Sequence, residues 1–247
     1  MVRSRITPFL LLRGGGLVKT QRFSDPKYVG DPINAVKIFN EKEVDELVLL
    51  DIDATATGSR PNFNLLEEIA SESHMPLCYG GGVKDAKTAA SIVSLGYEKV
   101  SISHAAFERP ELISEVAERV GRQSVVVTID VNKEGLFRGG YRAYSRNAKQ
   151  KHRVDPIAFA VQCTELGAGE IVLNSIDRDG MMQGYDIDLA RKLRSAITTP
   201  MTVVGGAGSI DDLRAVTENL GPIGAGAGSF FVFNGKYRAV LISYDRP

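Results

Sequence analysis

Residues 124–130 read SVVVTID and residues 170–177 read EIVLNSID, two β-rich apolar runs that each end on an acidic side chain. Continuous apolar stretches such as residues 125–127 suit strands that are buried on both faces, as the strands of a parallel sheet are. Six further runs of this kind occur along the chain. In chain order the eight predicted strands begin at Arg5, Glu46, Pro76, Lys99, Ser124, Glu170, Pro200 and Pro222.

Amphipathic stretches alternate with these runs, for example AKTAASIVSLG at residues 86–96 and IAFAVQCTELG at residues 157–167. Several of them end in glycine just before the next strand, as helix C-caps do. Eight strand–helix units in this order predict an α/β fold, a single (β/α)8 TIM barrel domain over residues 1–247.

Features of the first half of the chain recur in the second half. The Ile-Asp pair at residues 52–53 recurs at residues 176–177, an offset of 124, and the Gly-Gly pair at residues 80–81 recurs at residues 205–206, an offset of 125. The two longest connections follow the first and the fifth strands, which are equivalent under the same relation. This pattern predicts that the barrel consists of two fused half-barrels.

The composition is that of a soluble globular protein rather than a disordered, fibrous or membrane one. Of the 247 residues 43% are hydrophobic, and 30 Lys+Arg balance 30 Asp+Glu. A net charge of zero gives no overall electrostatic attraction to nucleic acid or anionic lipid, so we expect no nucleic-acid partner and no membrane partner. Pro8 interrupts the short N-terminal apolar run, which therefore predicts a strand rather than a signal peptide.

Cysteine and histidine usage argues against a metal site. Cys78 and Cys163 lack Cys-x-x-Cys spacing, and none of the three histidines stands in a His-x-x-x-His arrangement. This usage is typical of a reducing compartment and not of a disulfide framework or a structural zinc site. We therefore expect a cytoplasmic protein with no metal and no cofactor.

Glycine-rich segments follow the third, seventh and eighth strands, at the barrel end where this fold keeps its active sites. Their backbone N–H groups can converge on an anion, and the loops after the last two strands are the usual phosphate site of the fold. The duplication places an equivalent loop, the one after the third strand, on the opposite side of the barrel mouth, the open end at which the strands terminate. Two facing phosphate sites indicate an elongated bisphosphate ligand. The alternative is that the glycines only permit tight turns. The candidate phosphate ligands are Gly81, Gly82, Gly206, Ala207, Gly208, Gly228 and Ser229.

Four carboxylates also lie at predicted strand ends: Asp51, Asp130, Asp177 and Asp179. A carboxylate at a barrel mouth acts as a general acid or base when burial or a like charge raises its pKa. Asp130 follows the most apolar run and is the best catalytic candidate, the alternative being that it caps the next loop. The other three either orient hydroxyl groups of a substrate or hold loop backbone.

The connection after the fifth strand is rich in cations. Gly139 and Gly140 could hinge it as a lid that closes on phosphates, and a solvated mobile loop is an equal alternative. The cations are Lys133, Arg138, Arg142, Arg146, Lys149, Lys151 and Arg153.

Taken in order, the strings DELVLLDI, YGGGV, KVSIS, SVVVTID, GAGEIVLNSIDRDG, GYD and GGAGS cover nearly the whole chain. They resemble the cyclase subunit of imidazole glycerol phosphate synthase, the HisF family. The resemblance implies a glutaminase partner (HisH-like) at the N-terminal face of the barrel. It further implies that ammonia travels along the barrel axis to a bisphosphate ribonucleotide at the C-terminal face.

The resemblance also assigns residues. The family's ammonia gate is a ring of two basic and two acidic residues, and the matching positions here hold Arg5, Glu46, Lys99 and Glu170. Such a ring could instead be a stabilising plug. Lys19 matches a family position in the loop over the substrate, and Asp130 matches the second catalytic aspartate.

Departures from the family concern the mouth. Leu11 stands where the family has its first catalytic aspartate, and the end of the fourth strand reads Ser103-His104 in place of Asn-Thr. Asn174 replaces a family threonine on the sixth strand. We therefore expect a ligand site in which Ser103 and Asn174 take part but whose details differ around the fourth strand.

Three further strings, FLLLRGGGLVKT, KYVGDPINAVKIFNEKEVDEL and GKYRAVLISY, are similar to a paralogous HisF-like branch found with surface-polysaccharide genes. That branch is associated with a glutaminase and a separate amidotransferase that converts a sugar acetamido group into an acetamidino group. Three hypotheses follow: an ammonia-conducting subunit for sugar amidination, an authentic cyclase of histidine biosynthesis, and a related sugar-phosphate isomerase. The third also requires the missing aspartate.

Overall fold

Eight parallel strands close into a barrel in the computed structural model, which describes residues 4–135 and 140–244. Each strand pairs with the next along the chain, and the last pairs with the first. This arrangement confirms the predicted (β/α)8 barrel. The strands are β1 (Arg5–Arg13), β2 (Leu47–Asp51), β3 (Leu77–Gly80), β4 (Lys99–Ile102), β5 (Val125–Lys133), β6 (Glu170–Ser175), β7 (Met201–Val204) and β8 (Gly224–Ala227).

Helices follow the strands on the outside of the barrel. They are α1 (Pro32–Glu41), α2 (Phe63–Glu72), α3 (Ala86–Ser94), α4 (Leu112–Val120), α5 (Pro156–Glu165), α6 (Ile187–Ala196), α7 (Ile210–Leu220) and the single turn α8 (Ser229–Val232). Short helical turns lie at Ala54–Thr57, His104–Glu108, Arg122–Ser124 and Ile176–Arg178. A full helix is thus absent after β8 among the described residues. There Tyr244 covers the barrel wall, with its hydroxyl group donating to Ile6 O at 2.8 Å.

Several strands are shorter than the sequence predicts. The seventh predicted strand runs to residue 208, but β7 ends at Val204 because Gly205 and Gly206 have φ of +90° and +118°. Such angles belong to the left-handed region and end extended structure. In contrast, β5 continues to Lys133 because it pairs with the antiparallel strand Tyr141–Ser145.

The two long connections extend the barrel in the same way. Strands Gly16–Gln21 and Ser24–Gly30 follow β1, and strands Tyr141–Ser145 and Gln150–Lys151 follow β5. Each connection ends in an Asp-Pro pair in which the aspartate caps the next helix, Asp31 for α1 and Asp155 for α5, an offset of 155 − 31 = 124. This third recurrence supports the fused half-barrels, which stay a prediction.

The hydrophobic core has two layers. The larger layer packs the helices on the outside of the strands, and a smaller one fills the barrel interior with Phe9, Val48, Cys78, Val126, Val172 and Val204. Both cysteines are buried and free. Within the described residues no helix is long and apolar enough to cross a membrane, and no cluster of three or more His, Cys, Asp or Glu could hold a metal ion.

Candidate active site

A cavity of about 660 Å³ opens at the C-terminal ends of the barrel strands. It is the place where this fold carries its chemistry. Most of the predicted site residues line it: Lys19, Asp51, Gly81, Gly82, Ser103, Asp130, Asn174, Asp179, Gly206, Ala207, Gly228 and Ser229. Leu11 also lines it, whereas Asp177 and Gly208 do not.

Asp130 is a half-buried carboxyl group on β5. Burial and the charge of Asp179 raise its pKa to about 7, although Asn174 Nδ2 donates to its Oδ1 at 3.0 Å and opposes the rise. A group with this pKa exchanges its proton near neutral pH, as a general acid or base must. This pKa is compatible with the expected acid–base role of Asp130, which stays a prediction.

Asp179 and Lys19 form the neighbouring wall of the cavity. Asp179 Oδ2 accepts hydrogen bonds from Thr20 Oγ1 at 2.7 Å and from Phe23 N at 3.2 Å. Lys19 is buried and donates from Nζ to Phe9 O. Burial lowers the pKa of Lys19 to about 8, against the opposing charge of Asp179. Lys19 therefore keeps a positive charge available to an anionic ligand at neutral pH.

Asp51 and Asp177 hold loop backbone. Asp51 Oδ1 accepts from the amides of Asp53 and Ala54, each at 3.0 Å, and burial raises the pKa of Asp51. Asp177 Oδ2 accepts from Lys133 N at 2.8 Å and so fixes the extension of β5. Their predicted part in ligand binding stays a prediction.

The glycine-rich loops pack closely against their neighbours. A Cβ on Gly206 would overlap Gly184 O, and a Cβ on Gly81 would lie 2.5 Å from Asp51 O. Packing alone therefore requires glycine at both positions. The amide of Gly208 donates to Asp212 Oδ2 at 2.9 Å, so this predicted anion donor already has a partner.

The amide of Gly82 also has a partner, because it donates to Thr55 Oγ1 at 3.3 Å. Gly206, Ala207, Gly228 and Ser229 remain along the cavity wall as the compact candidate anion site. Its use by phosphate stays a prediction.

The connection after β5 reaches across the mouth. Asn147 Nδ2 donates to Ile52 O, next to the end of β2, at 2.7 Å, and Arg146 and Lys149 line the cavity. Arg142 donates to Tyr141 O, and Lys151 pairs with Glu134 at 2.6 Å.

Part of the predicted lid, Arg138 and Gly139, lies outside the described residues. The rim cations Arg13, Lys84 and Arg109 also line the cavity and were missed, because no local pattern marks them. These cations line the cavity only because residues far apart in the chain meet in the folded protein.

A closed ring of ion pairs lies at the opposite end of the barrel. Arg5 contacts Glu170 at 2.5 Å and Glu46 at 3.1 Å, and Lys99 contacts both carboxylates at 2.8 Å. The two carboxylates are nearly buried, with side chains 6% and 7% exposed. The four residues that resemble the family's gate are thus brought together.

Charge complementarity favours the ionised forms of Lys99 and Glu170, whereas burial and the charge of Glu170 raise the pKa of Glu46. Burial opposes the charge of Lys99, but the two carboxylates together raise its pKa. Despite burial, the pKa of Glu170 is lowered by Lys99, Arg5 and a hydrogen bond from Thr202 Oγ1 at 2.6 Å. Above the ring a cavity of about 10 Å³, large enough for about one water molecule, lies among Thr7, Cys78 and the apolar interior layer.

These features define a (β/α)8-barrel protein with a cavity lined by titratable side chains at one face and an ion-pair ring at the other. Residues 5–238 match the family model described as "Histidine biosynthesis protein", and the chain belongs to this family. The resemblance found from the sequence is confirmed.

Curated relatives carry names from the same family. The chain is 56% identical over 247 residues to "Putative imidazole glycerol phosphate synthase subunit hisF3" of Vibrio vulnificus, covering 100% of this chain and 95% of the relative. It is 52% identical to "Putative imidazole glycerol phosphate synthase subunit hisF2" of Pseudomonas aeruginosa, over 99% of this chain and 96% of the relative. It is 38% identical to "Imidazole glycerol phosphate synthase subunit HisF" of Dehalococcoides mccartyi, over 86% and 83%.

Proposed function

We propose that this protein is the HisF-type synthase subunit of a glutamine amidotransferase system. It accepts ammonia from a glutaminase partner at its N-terminal face and guides it through the barrel to the mouth. The observation that carries the proposal is the closed ring of Arg5, Glu46, Lys99 and Glu170 at that face. The relatives' names, which call them synthase subunits, support it.

Stability alone gives little reason for such a ring. Buried ion pairs lose hydration, and well-packed apolar residues of similar volume are often as stable or more stable. The interior layer directly above the ring consists of such apolar residues, with Phe9, Val126 and Val172 among its members. A polar ring below this layer therefore indicates a function at the N-terminal face, where a small polar molecule can exchange with the partner.

The mouth supports a role in amidination of a surface-polysaccharide sugar. Leu11 occupies the cavity wall on β1, and no proton transfer is possible from its side chain. Lys19 and the glycine-rich loops would bind a phosphorylated small-molecule ligand there. A separate sugar amidotransferase would then use the ammonia that reaches the mouth.

An authentic cyclase of histidine biosynthesis is the second candidate. It is favoured by Asp130, whose carboxyl group faces the cavity with a pKa of about 7. The sugar-phosphate isomerase is disfavoured, since it needs an acidic residue at the position of Leu11.

Binding of the glutaminase tests the first part of the proposal. The purified chain and a HisH-type glutaminase of the same organism should form a one-to-one complex, and glutamine hydrolysis should rise on mixing. Glu98 is exposed and precedes Lys99 at the N-terminal face, whereas Asp188 is exposed on the outer helix α6. Glu98→Arg should weaken the complex and Asp188→Arg should not. Absence of both the complex and the stimulation contradicts the proposal.

Transfer of nitrogen tests the second part. Glutamine labelled with ¹⁵N in its amide group is mixed with the glutaminase, this protein and the candidate sugar amidotransferase. The label should appear in the acetamidino group of the sugar only when all three proteins are present. Equal labelling without this protein would exclude the amidination role, and conversion of the family's bisphosphate substrate at a cyclase rate would assign the second candidate.

A further inference from the structure

Two of the three histidines of this chain meet at one buried hydroxyl group beside the mouth. His104 Nδ1 lies 3.1 Å from Ser145 Oγ, and His152 Nε2 lies 2.8 Å from the same oxygen. Ser145 is 1% exposed, and His104 lines the cavity. The ammonia route proposed above uses none of these three residues.

The two distances fit one direction of the hydrogen bonds. Hydroxyl donors form shorter bonds than N–H donors. The 2.8 Å contact therefore fits donation by the Ser145 hydroxyl group to His152 Nε2, and the 3.1 Å contact fits donation by His104 Nδ1–H to Ser145 Oγ. A neutral imidazole that carries its proton on Nδ1 keeps a lone pair on Nε2. His104 would present that lone pair on the side away from Ser145.

Neighbouring rings and backbone hold the outer histidine in place. His152 stacks on Phe107 with ring centroids 3.9 Å apart, and Phe107 stacks on Phe159 at 4.0 Å. The amide of His152 donates to Ala143 O at 2.9 Å. The acceptor nitrogen of His152 is therefore fixed towards Ser145.

Burial favours the neutral form of both imidazoles by lowering their pKa values. Burial lowers the pKa of His104, Arg146 lowers it further, and Glu108 acts in the opposite direction. Burial also lowers the pKa of His152, as does the neighbouring His104. At pH 7 His104 is thus in the form that accepts a proton.

We propose that His104 is an acid–base residue of the mouth, which presents Nε2 to an ammonium or hydroxyl group of the ligand, and that Ser145 and His152 are positioning residues that hold this tautomer. The ligand's N–H or O–H bond breaks, its electron pair stays on the nitrogen or oxygen, and the proton binds Nε2. The imidazolium continues to donate from Nδ1 to Ser145, and Nε2 returns the proton in a later step.

This inference rests on the proposed function in one respect, namely that the mouth holds the ligand. His104 comes just after β4 and Asp130 lies on β5. These strands are neighbours, since β4 pairs with β5 through Ile102 and Val127. The mouth thus has two acid–base candidates on one side, whereas the Leu11 side chain on β1 transfers no proton.

Long-range ¹H–¹⁵N NMR on protein labelled in its histidines tests the proposal on the chain alone. Near pH 7.5 His104 should carry its proton on Nδ1 and leave Nε2 unprotonated, and it should titrate at lower pH than free histidine. In Ser145→Ala both partners lose the hydroxyl group, so His104 should shift towards the Nε2–H tautomer. Ser145→Thr keeps a hydroxyl group and should restore the wild-type tautomer, and the exposed His74 serves as the reference signal.

Reactivity gives a second measurement. Carbethoxylation of His104 by diethylpyrocarbonate at pH 7, followed by peptide mass spectrometry, should be slower in Ser145→Ala by about threefold or more, because fewer molecules present the lone pair on Nε2. His152→Gln, which keeps an acceptor for Ser145, should react nearly as wild type does.

A wild-type His104 protonated on Nε2, or a tautomer unchanged in Ser145→Ala, would overturn the inference. Because neither measurement uses a partner or ligand, such a result is separate from a failure of the glutaminase or labelling experiments.

Discussion

Leu11 lies on β1 in register with Leu50 of β2, and both side chains line the mouth. Loss of one general acid–base group costs roughly 10²–10⁴ in rate. We therefore expect formation of imidazole glycerol phosphate, measured with saturating ammonia, to be at least about 10²-fold slower than in an aspartate-bearing relative. Leu11→Asp should restore part of the rate, and Leu11→Asn, which has the same size as the aspartate but transfers no proton, should not. A wild-type rate equal to that of such a relative would contradict this prediction and support a role in histidine biosynthesis.

Asp130 couples stability to pH. Its pKa is about 7 in the folded protein and about 3.9 in an unfolded chain, so the folded state binds more protons between these values. The free energy of unfolding therefore falls as pH rises from about 4 to about 7. Asp130→Asn should remove this loss and be more stable than wild type by up to about 4 kcal/mol at pH 8, with no gain at pH 4.

Urea unfolding at a series of pH values measures the effect of Asp130→Asn. Asp188→Asn changes an aspartate whose side chain is 83% exposed and should leave the pH dependence as it is. A stability gain that is equal at pH 4 and pH 8 would show that the carboxyl group of Asp130 titrates normally.

At the scale of elements, the loop between β7 and α7 combines an anion-binding geometry with a competing charge. Asp212 in the first turn of α7 accepts from the amide of Gly208, whereas its neighbour Asp211 is 88% exposed and pairs with Arg214. Removing the charge of Asp212 should strengthen binding of inorganic phosphate about 3- to 10-fold, because that charge opposes an anion at a helix N-terminus.

Calorimetric titration of phosphate into Asp212→Asn, with Asp211→Asn as the matched control, tests this element. Crystals of the wild type grown in phosphate or sulfate should show an anion at Gly206, Ala207, Gly228 and Ser229. Well-ordered but empty loops at high anion concentration, together with unchanged affinity in Asp212→Asn, would mean that the glycines serve packing alone.

At the scale of the whole molecule, the ring joins four strands across the barrel. Lys99 contacts both buried carboxylates, whereas Lys37 forms an exposed pair with Glu72 at 3.6 Å. Lys99→Met leaves buried charge without its partner and should cost about 3–5 kcal/mol in the free energy of unfolding. Lys37→Met should change it by less than about 0.5 kcal/mol. Equal, small effects in denaturant unfolding would mean that the ring is open to solvent.

Local patterns in the sequence determined the barrel fold, the order of its strands and helices, and the position of its mouth. Eight apolar runs alternating with amphipathic stretches leave few topologies, and strands β1–β8 begin within two residues of their predicted starts. The matches at Arg5, Glu46, Lys99 and Glu170 followed from resemblance, because nothing local in a single charged residue at a strand start indicates a ring.

Only the tertiary structure decided which groups meet and in what state. Asp130 and Asp51 are both strand-end aspartates that line the cavity, yet the pKa of Asp130 is raised to about 7, whereas Asp51 accepts hydrogen bonds from two backbone amides. His104 and His152 meet at Ser145 because the connection after β5 folds back over the end of β4. Burial, charge proximity and hydrogen-bond partners depend on distances between residues far apart in the chain, and a one-dimensional pattern contains no such distances.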